Sequence, residues 1–181
     1  DRFESRGLGD VYKRQVPAKM MFSEIERIER LLKQLLMHSH PMPIKSQSFN
    51  LHELLDTVLS FERSSHPGLR FTAYYDASLP DIEADRDKLH QVFLNLVRNA
   101  SEACPADGRV RVLTRHCAHW ELAGTNLDPT RRYILVSIED EGPGIPEELR
   151  KNIFKPLFST KKQGTGLGLS ISFRLVESHG G

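Results

Sequence analysis

The chain has 181 residues, 39% hydrophobic and 27% charged, with a formal net charge of +1; this is the composition of one globular domain with a short appendage, and it excludes a disordered chain. Such a balance gives no electrostatic footprint for nucleic acid, and no apolar run reaches the ~18 residues that span a bilayer or forms a signal peptide, so no membrane contact is expected. Two cysteines, Cys104 and Cys117, are too few for a disulfide framework, and His116-Cys117-Ala118-His119 offers no closed tetrahedral zinc set, which together fit a reducing cytoplasm.

Residues 1–15, DRFESRGLGDVYKRQ, carry no hydrophobic period and stop abruptly against an apolar helical pattern. Residues 5–15 back-translate in frame onto a transposase-type sequencing-library adapter, so native sequence is expected to begin at Val16, although the composition also suits a flexible basic arm. From Val16 onward Met21, Ile25, Ile28, Leu32 and Leu35 make a heptad-like seam, with Glu24, Glu26, Arg27, Glu29, Arg30 and Lys33 on the other faces. Residues 16–40 therefore read as a helix, either lying on its own domain or contributing to an intermolecular bundle. Prolines 41 and 43 stop it, and residues 41–48 read as a linker.

The main domain is expected over residues 49–181. Asn50 caps a helix in which Glu53 reaches back and Phe49 staples onto Leu54, and whose buried face is Leu51, Leu54, Leu55, Val58 and Leu59. It ends before Pro67-Gly68. Leu69, Phe71, Ala73 and Tyr75 alternate as a half-buried strand, and residues 80–84 form a short extended segment. Asp85 caps a long helix to about Ala103 with Leu89, Val92, Phe93, Leu96 and Ala100 on its apolar face. Strands follow at 109–115 and 132–140, the second with Ile134, Val136 and Ile138 on one face, separated by a long loop or hairpin. Pro146 starts a short helix to Phe154, and a last helix runs from about Gly166 to His179, where Gly180-Gly181 caps it. Separated strands and helices of this kind give an α+β, two-layer sandwich with helices on one face of a mixed sheet.

Four segments carry possible chemistry. Asn95 and Asn99, four apart on the long helix, share one face, where two neutral amide oxygens suit a hard cation such as Mg2+; the same pair would also serve as a solvated polar face. Asp140-Glu-Gly142-Pro-Gly144 follows a strand, so its carboxylate can accept from the exocyclic amine of adenine while the glycines let backbone approach a ring; Gly-Pro-Gly is also an ordinary turn. Phe154 and Phe158 precede a polar run with Lys161 and Lys162, as the hinge and anchor of a lysine-bearing lid would, or as simple core aromatics beside solvated lysines. Gly164-Thr165-Gly166-Leu167-Gly168 opens the last helix, where backbone N–H groups favour an anion; it is neither a P-loop nor a dinucleotide fingerprint.

Taken in this order, the four segments strongly resemble the histidine-kinase branch of the GHKL (Bergerat-fold) ATPase superfamily over roughly residues 49–181. HQVFLNLVRNASEA matches its N box, DEGPGI its G1 box, FKPLF its F box and GTGLGLS its G2 box. The resemblance implies ATP and Mg2+ as cofactors. It assigns Asn95 and Asn99 to the Mg2+–triphosphate, Asp140 to adenine and Gly142 and Gly144 to the nucleotide pocket. Phe154, Phe158, Lys161, Lys162, Gly164, Thr165, Gly166, Leu167 and Gly168 fall to the lid and phosphates. Hydrolytic members place a glutamate, the general base for water, where Asn95 stands; an amide cannot take that proton, so transfer to a protein nucleophile is favoured over the alternative of a hydrolytic GHKL ATPase.

By the same resemblance residues 16–40 are the second helix of a dimerisation and phosphotransfer bundle, which implies a homodimer. None of the eight histidines lies in the family's His-Glu/Asp-x-x-Asn-Pro context, so the phospho-accepting histidine is expected outside this chain. RIERLLKQLL before a proline linker and YYDASLPDIEADRDKLHQVFLNLVRNASEA are similar to the nitrogen-regulation (NtrB) subfamily, with other PAS-linked kinases as the alternative. That likeness implies a bacterial, cytoplasmic phosphorelay with an NtrC-like response regulator, a PII-type signal protein, and phosphatase activity in the full-length protein.

Overall fold

Asn50 opens the first helix. Its side-chain oxygen accepts from the backbone N–H groups of His52 (2.9 Å) and Glu53 (3.3 Å), which satisfies donors that a helix start leaves without partners. The computed structural model describes residues 43–161 and 164–181; the segment 1–15 expected to be adapter, the helix expected over 16–40 and Lys162 lie outside these described residues. Helix α1 (Leu51–Ser65) buries Leu51, Leu54, Leu55, Val58 and Leu59, the face expected from its spacing. Each such side chain contributes roughly 1.5–3 kcal/mol of transfer free energy before chain entropy is counted.

Strand β1 (Gln47–Phe49) precedes the Asn50 cap and pairs antiparallel with β3 (Ile82–Ala84) in a two-stranded sheet. The main sheet has the order β2 (Arg70–Tyr75), β4 (Arg109–His116), β5 (Ile134–Asp140). β2 and β4 are parallel, and the chain crosses between them through α2 (Arg86–Ala103), as a parallel pair requires. β4 and β5 are antiparallel, with Val112 opposite Ile138. Val110, Val112 and Thr114 of β4 are buried while the alternate residues Arg111, Leu113 and Arg115 are exposed, half-buried and exposed, so one sheet face meets the helices and the other is open to solvent. α1 lies against β2 and α2, and α2 lies against β4, β5 and α4 (Gly168–Ser178). This is the α+β two-layer sandwich.

Asp85 gathers three parts of the chain. Its Oδ1 accepts from Lys88 N (3.2 Å) to cap α2, its Oδ2 accepts from Lys45 N (3.0 Å), and its own N–H donates to His179 Nε2 (3.1 Å) at the end of α4. The Lys45 N–H, followed by that of Lys88, holds the Asp85 carboxyl below the usual carboxylate range. Between α1 and α2, buried Glu62 accepts from Arg98 Nε (3.3 Å), and His66 Nδ1 stands 3.1 Å from its other oxygen.

The structure departs from expectation at two places, the stripe of α2 and the helix after Pro146. On α2 Val97 is fully buried in place of Leu96, which is only half-buried, because the helix packs against α1 and α4 as well as the sheet and its apolar stripe turns accordingly. On β5, Ile134, Val136 and Ile138 do share one face, opposite His116, Thr114 and Val112 of β4, but they are no more buried than Leu135 and Ser137, as suits the outer strand of the sheet among the described residues. The helix after Pro146 is α3 (Glu147–Arg150), a single turn, and does not reach Phe154. Beyond it the chain proceeds by three-residue turn bonds, Asn152 N to Leu149 O and Lys155 N to Asn152 O. Phe154 and Leu157 are largely exposed, so a longer helix there would bury no apolar face to offset its ordering cost. α4 ends as expected, with Gly180 in the left-handed region at φ +81°.

Candidate functional site

The four segments singled out in the sequence converge at the C-terminal half of α2. Asn95 and Asn99 both sit there, half-buried. The Asn95 carboxamide is wedged against the start of α4: a Cβ added to Gly168 would fall 2.3 Å from Asn95 Oδ1, so only glycine allows this approach. Its Nδ2 donates to Ser172 Oγ at 2.9 Å, one turn further along α4. Asn99 Oδ1 lies 3.5 Å from Lys161 Nζ, and that ammonium also pairs with Glu102, one turn further along the same side of α2.

At the end of β5, Asp140 Oδ1 accepts from Gly142 N at 2.8 Å, closing an Asx turn and leaving Oδ2 as the acceptor for a ligand. Gly142 presses on the last turn of α2: a Cβ there would lie 2.7 Å from Ala103 O and 2.7 Å from Asp140 Oδ1. Gly144 adopts φ +74° with nothing within 4 Å of an added Cβ, so a flat ring can approach its backbone unhindered.

The F-box segment and the glycine loop lie back to back. Leu157 is a non-glycine residue at φ 65°, a conformation costing roughly 1–2 kcal/mol, and Gly166 at φ +67° faces it, with an added Cβ only 2.4 Å from the Leu157 carbonyl carbon. Gly164 packs on the Ser159 hydroxyl, where a Cβ would come within 2.2 Å of Oγ. Leu167 N donates to Thr165 Oγ1 at 3.4 Å. The Leu167 side chain is wholly buried, which pins the loop to the core and leaves only its backbone for a ligand. Phe154 leans on Phe173 of α4 with ring centroids 5.4 Å apart, and Phe158 is half-buried. Asn95, Asn99, Asp140, Gly142, Lys161 and Gly168 are thus brought to one end of one helix; Gly144 and Phe154 stand at its margins.

Sequence reasoning missed Ser172 and Glu102. Ser172 is a polar residue four positions after Gly168 on an otherwise apolar helix face, a signal present in the sequence but mute until α2 is packed against it. Glu102 is three after Asn99, on the same side of α2, and gains meaning only from Lys161, 59 residues away.

The arrangement suits a nucleotide. A strand-end carboxylate can accept from a base amine, the open backbone at Gly144 leaves room for a ring, amide oxygens suit a hard cation, and the α4 N-terminus with Lys161 suits phosphate. Among the described residues no helix is long and apolar enough to cross a membrane.

The family described as "Histidine kinase-, DNA gyrase B-, and HSP90-like ATPase" matches residues 84–181, which contain all four segments. Over 170 residues the chain is 36% identical to the sensory histidine kinase/phosphatase NtrB of Azospirillum brasilense, covering 92% of this chain and 42% of that protein. The chain spans less than half the length of the curated relatives it matches. The solved catalytic domain of histidine kinase ThkA superposes with a TM-score of 0.60 at 35% identity, over 75% of this chain and 80% of that one. ThkA in complex with response regulator protein TrrA superposes with a TM-score of 0.64 at 28% identity, over 100% of this chain and 48% of that one. The chain belongs to the histidine kinase-, DNA gyrase B- and HSP90-like ATPase family, on its sensor histidine kinase branch.

Proposed function

We propose that this chain binds Mg2+–ATP and, in the whole protein, transfers the γ-phosphoryl group to a histidine on a helix outside the chain, for relay to a response-regulator aspartate. The observation that carries the reading is Asn95: a carboxamide, held against the first turn of α4, at the position where hydrolytic relatives keep a water-activating carboxylate. Without a base there, catalysis rests on placing the γ-phosphoryl group in line with a nucleophile and screening its charge.

Each residue then has a task. Asp140 Oδ2 accepts from the adenine amine, and Gly142 and Gly144 let the ring lie close to backbone. Asn95 and Asn99 offer amide oxygens to Mg2+, which supplies charge neutralisation across the phosphates when bound. Lys161 leaves Glu102 for the triphosphate, and Lys162 is assigned a like role. Gly164, Thr165, Gly166, Leu167 and Gly168 line the phosphates, with the N–H groups of Thr165, Gly166 and Gly168 donating to phosphate oxygens and Phe154 and Phe158 anchoring the segment beside them.

The likeness to NtrB of Azospirillum brasilense supports a place in nitrogen regulation, with phosphatase as well as kinase activity, an NtrC-like regulator and a PII-type partner. The ThkA–TrrA complex supports docking of a response regulator. Residues 16–40 are assigned to a homodimerising, phosphotransfer bundle, residues 1–15 to adapter sequence, and the protein to the bacterial cytoplasm. The test of the site is calorimetric: ATP should bind the chain more tightly with Mg2+ than with EDTA, and more tightly than GTP. Equal affinity for ATP and GTP would refute the role of Asp140, and indifference to Mg2+ would refute that of the asparagines.

A further inference from the structure

A carboxamide has two ends of nearly the same size and opposite chemistry. The oxygen accepts and can ligate a hard cation, whereas the NH2 group only donates. Rotation about the last side-chain torsion is broad, so nothing in Asn95 itself decides which end faces a metal. Two residues of α4 hold the two ends. Gly168 Cα approaches Oδ1 so closely that a Cβ would lie 2.3 Å from it, against 3.1 Å from Nδ2. Ser172 Oγ accepts from Nδ2 at 2.9 Å. The first turn of a helix exposes N–H donors and the positive end of its dipole, so it favours the amide oxygen and opposes the NH2 group. A serine hydroxyl alone could accept from nitrogen or donate to oxygen. With the oxygen drawn to the helix start, the nitrogen needs an acceptor, and Ser172 supplies it. Ser172 is only 5% exposed, so water does not readily replace that acceptor.

We infer that Ser172 is a positioning residue for Asn95: its hydroxyl takes the carboxamide N–H and keeps the oxygen, rather than the nitrogen, presented at the start of α4 where the Mg2+–triphosphate binds. This rests on the Mg2+–ATP reading of the site. Ser172 itself touches neither metal nor nucleotide; it acts through Asn95.

The experiment uses the chain as wild type, Ser172→Ala, Ser172→Cys and Ser172→Thr, with two readouts. In nitrogen-15 NMR of the nucleotide-free chain, the Asn95 side-chain NH2 should give dispersed, slowly exchanging signals in wild type and Ser172→Thr. In Ser172→Ala, and in the nearly isosteric Ser172→Cys with its weak acceptor, they should collapse toward solvent-like positions. In calorimetry, loss of one neutral hydrogen bond should weaken Mg2+–ATP binding about threefold to tenfold in Ser172→Ala and Ser172→Cys. ATP affinity in EDTA should stay within about twofold, and Ser172→Thr should restore the Mg2+ response. The Ser172→Ala loss should also vanish in an Asn95→Asp background, because a carboxylate presents oxygen at both ends. Unchanged Mg2+–ATP affinity in both hydroxyl-less variants, or equal losses with and without Mg2+, would overturn the inference. A wild-type chain that binds ATP equally with and without Mg2+ overturns the Mg2+ reading itself, a result distinct from any effect of Ser172.

Discussion

Asp140→Asn changes one atom, and the turn around it determines which one. Oδ1 of Asp140 accepts from Gly142 N at 2.8 Å, and that N–H needs an acceptor, which an NH2 group is not. The asparagine must therefore keep its oxygen on Gly142 and place its NH2 group where Oδ2 stood. The variant should fold as well as the parent, because the turn bond survives. Toward adenine the outcome differs: a donor now faces the exocyclic amine, and a charge-assisted hydrogen bond of about 1.5–3 kcal/mol is lost. ATP affinity should fall by roughly tenfold to a hundredfold. The same NH2 group can donate to a carbonyl at that ring position, so GTP or ITP should lose much less or gain. Asp140→Ala separates the two effects, since it removes the turn bond as well. Isothermal titration of each nucleotide with excess Mg2+ is the assay, and melting curves check the fold. An Asp140→Asn chain that binds ATP with parental affinity would refute the reasoning.

Asp85→Ala removes the α2 cap and the acceptor of Lys45 N, and should cost about 1–3 kcal/mol by urea denaturation at pH 7. Because the folded Asp85 carboxyl titrates below its ordinary value of 3.8, its contribution is present above that pH and fades as pH falls through the folded value, so Asp85→Asn should flatten the acid limb of the stability curve; an unchanged limb contradicts this. Gly166→Ala and Gly144→Ala both force alanine into the left-handed region, at roughly 1–2 kcal/mol, but only Gly166 faces backbone at 2.4 Å; Gly166→Ala should be clearly the more destabilising in denaturant titration, and equal losses would refute the close packing on Leu157. Glu102→Gln releases Lys161 from an exposed ion pair worth about 0.2–1 kcal/mol and removes a negative charge beside the proposed triphosphate site, so ATP should bind up to about fivefold tighter at low salt and less so at high salt; weaker binding would contradict the role given to Lys161.

Much of this fold is local, and local features can be read from a sequence. Asn50 and Asp85 announce α1 and α2 because a cap is a short-range bond, and the buried face of α1 follows from its spacing alone. What could not be read is set by partners far along the chain. β1 is three residues whose partner β3 lies 33 to 37 residues later in the register Gln47–Ala84 to Phe49–Ile82, and no periodicity shows in so short a strand. The displacement of the α2 stripe from Leu96 to Val97 depends on α1 and α4 both packing on it. The one-turn length of α3 depends on Phe154 and Leu157 finding no core. The site shows the same division. Asn95, Asn99, Asp140 and the glycines are visible as residue types in characteristic order. Their contacts, Asn95 with Ser172 across 77 residues and Lys161 with Glu102 across 59, belong to the packed molecule.

An ATP site with an amide at position 95 is expected to transfer phosphate to a protein histidine and not to hydrolyse ATP at speed. The most direct measurement is a radiolabelled-ATP assay on this chain with a separate bundle helix that carries an acceptor histidine. Label is expected on that helix, lost in acid and kept in base as phosphohistidine is, together with slow release of inorganic phosphate by the chain alone. Rapid phosphate release with no label on the histidine would contradict it and move the protein to the hydrolytic side of its family.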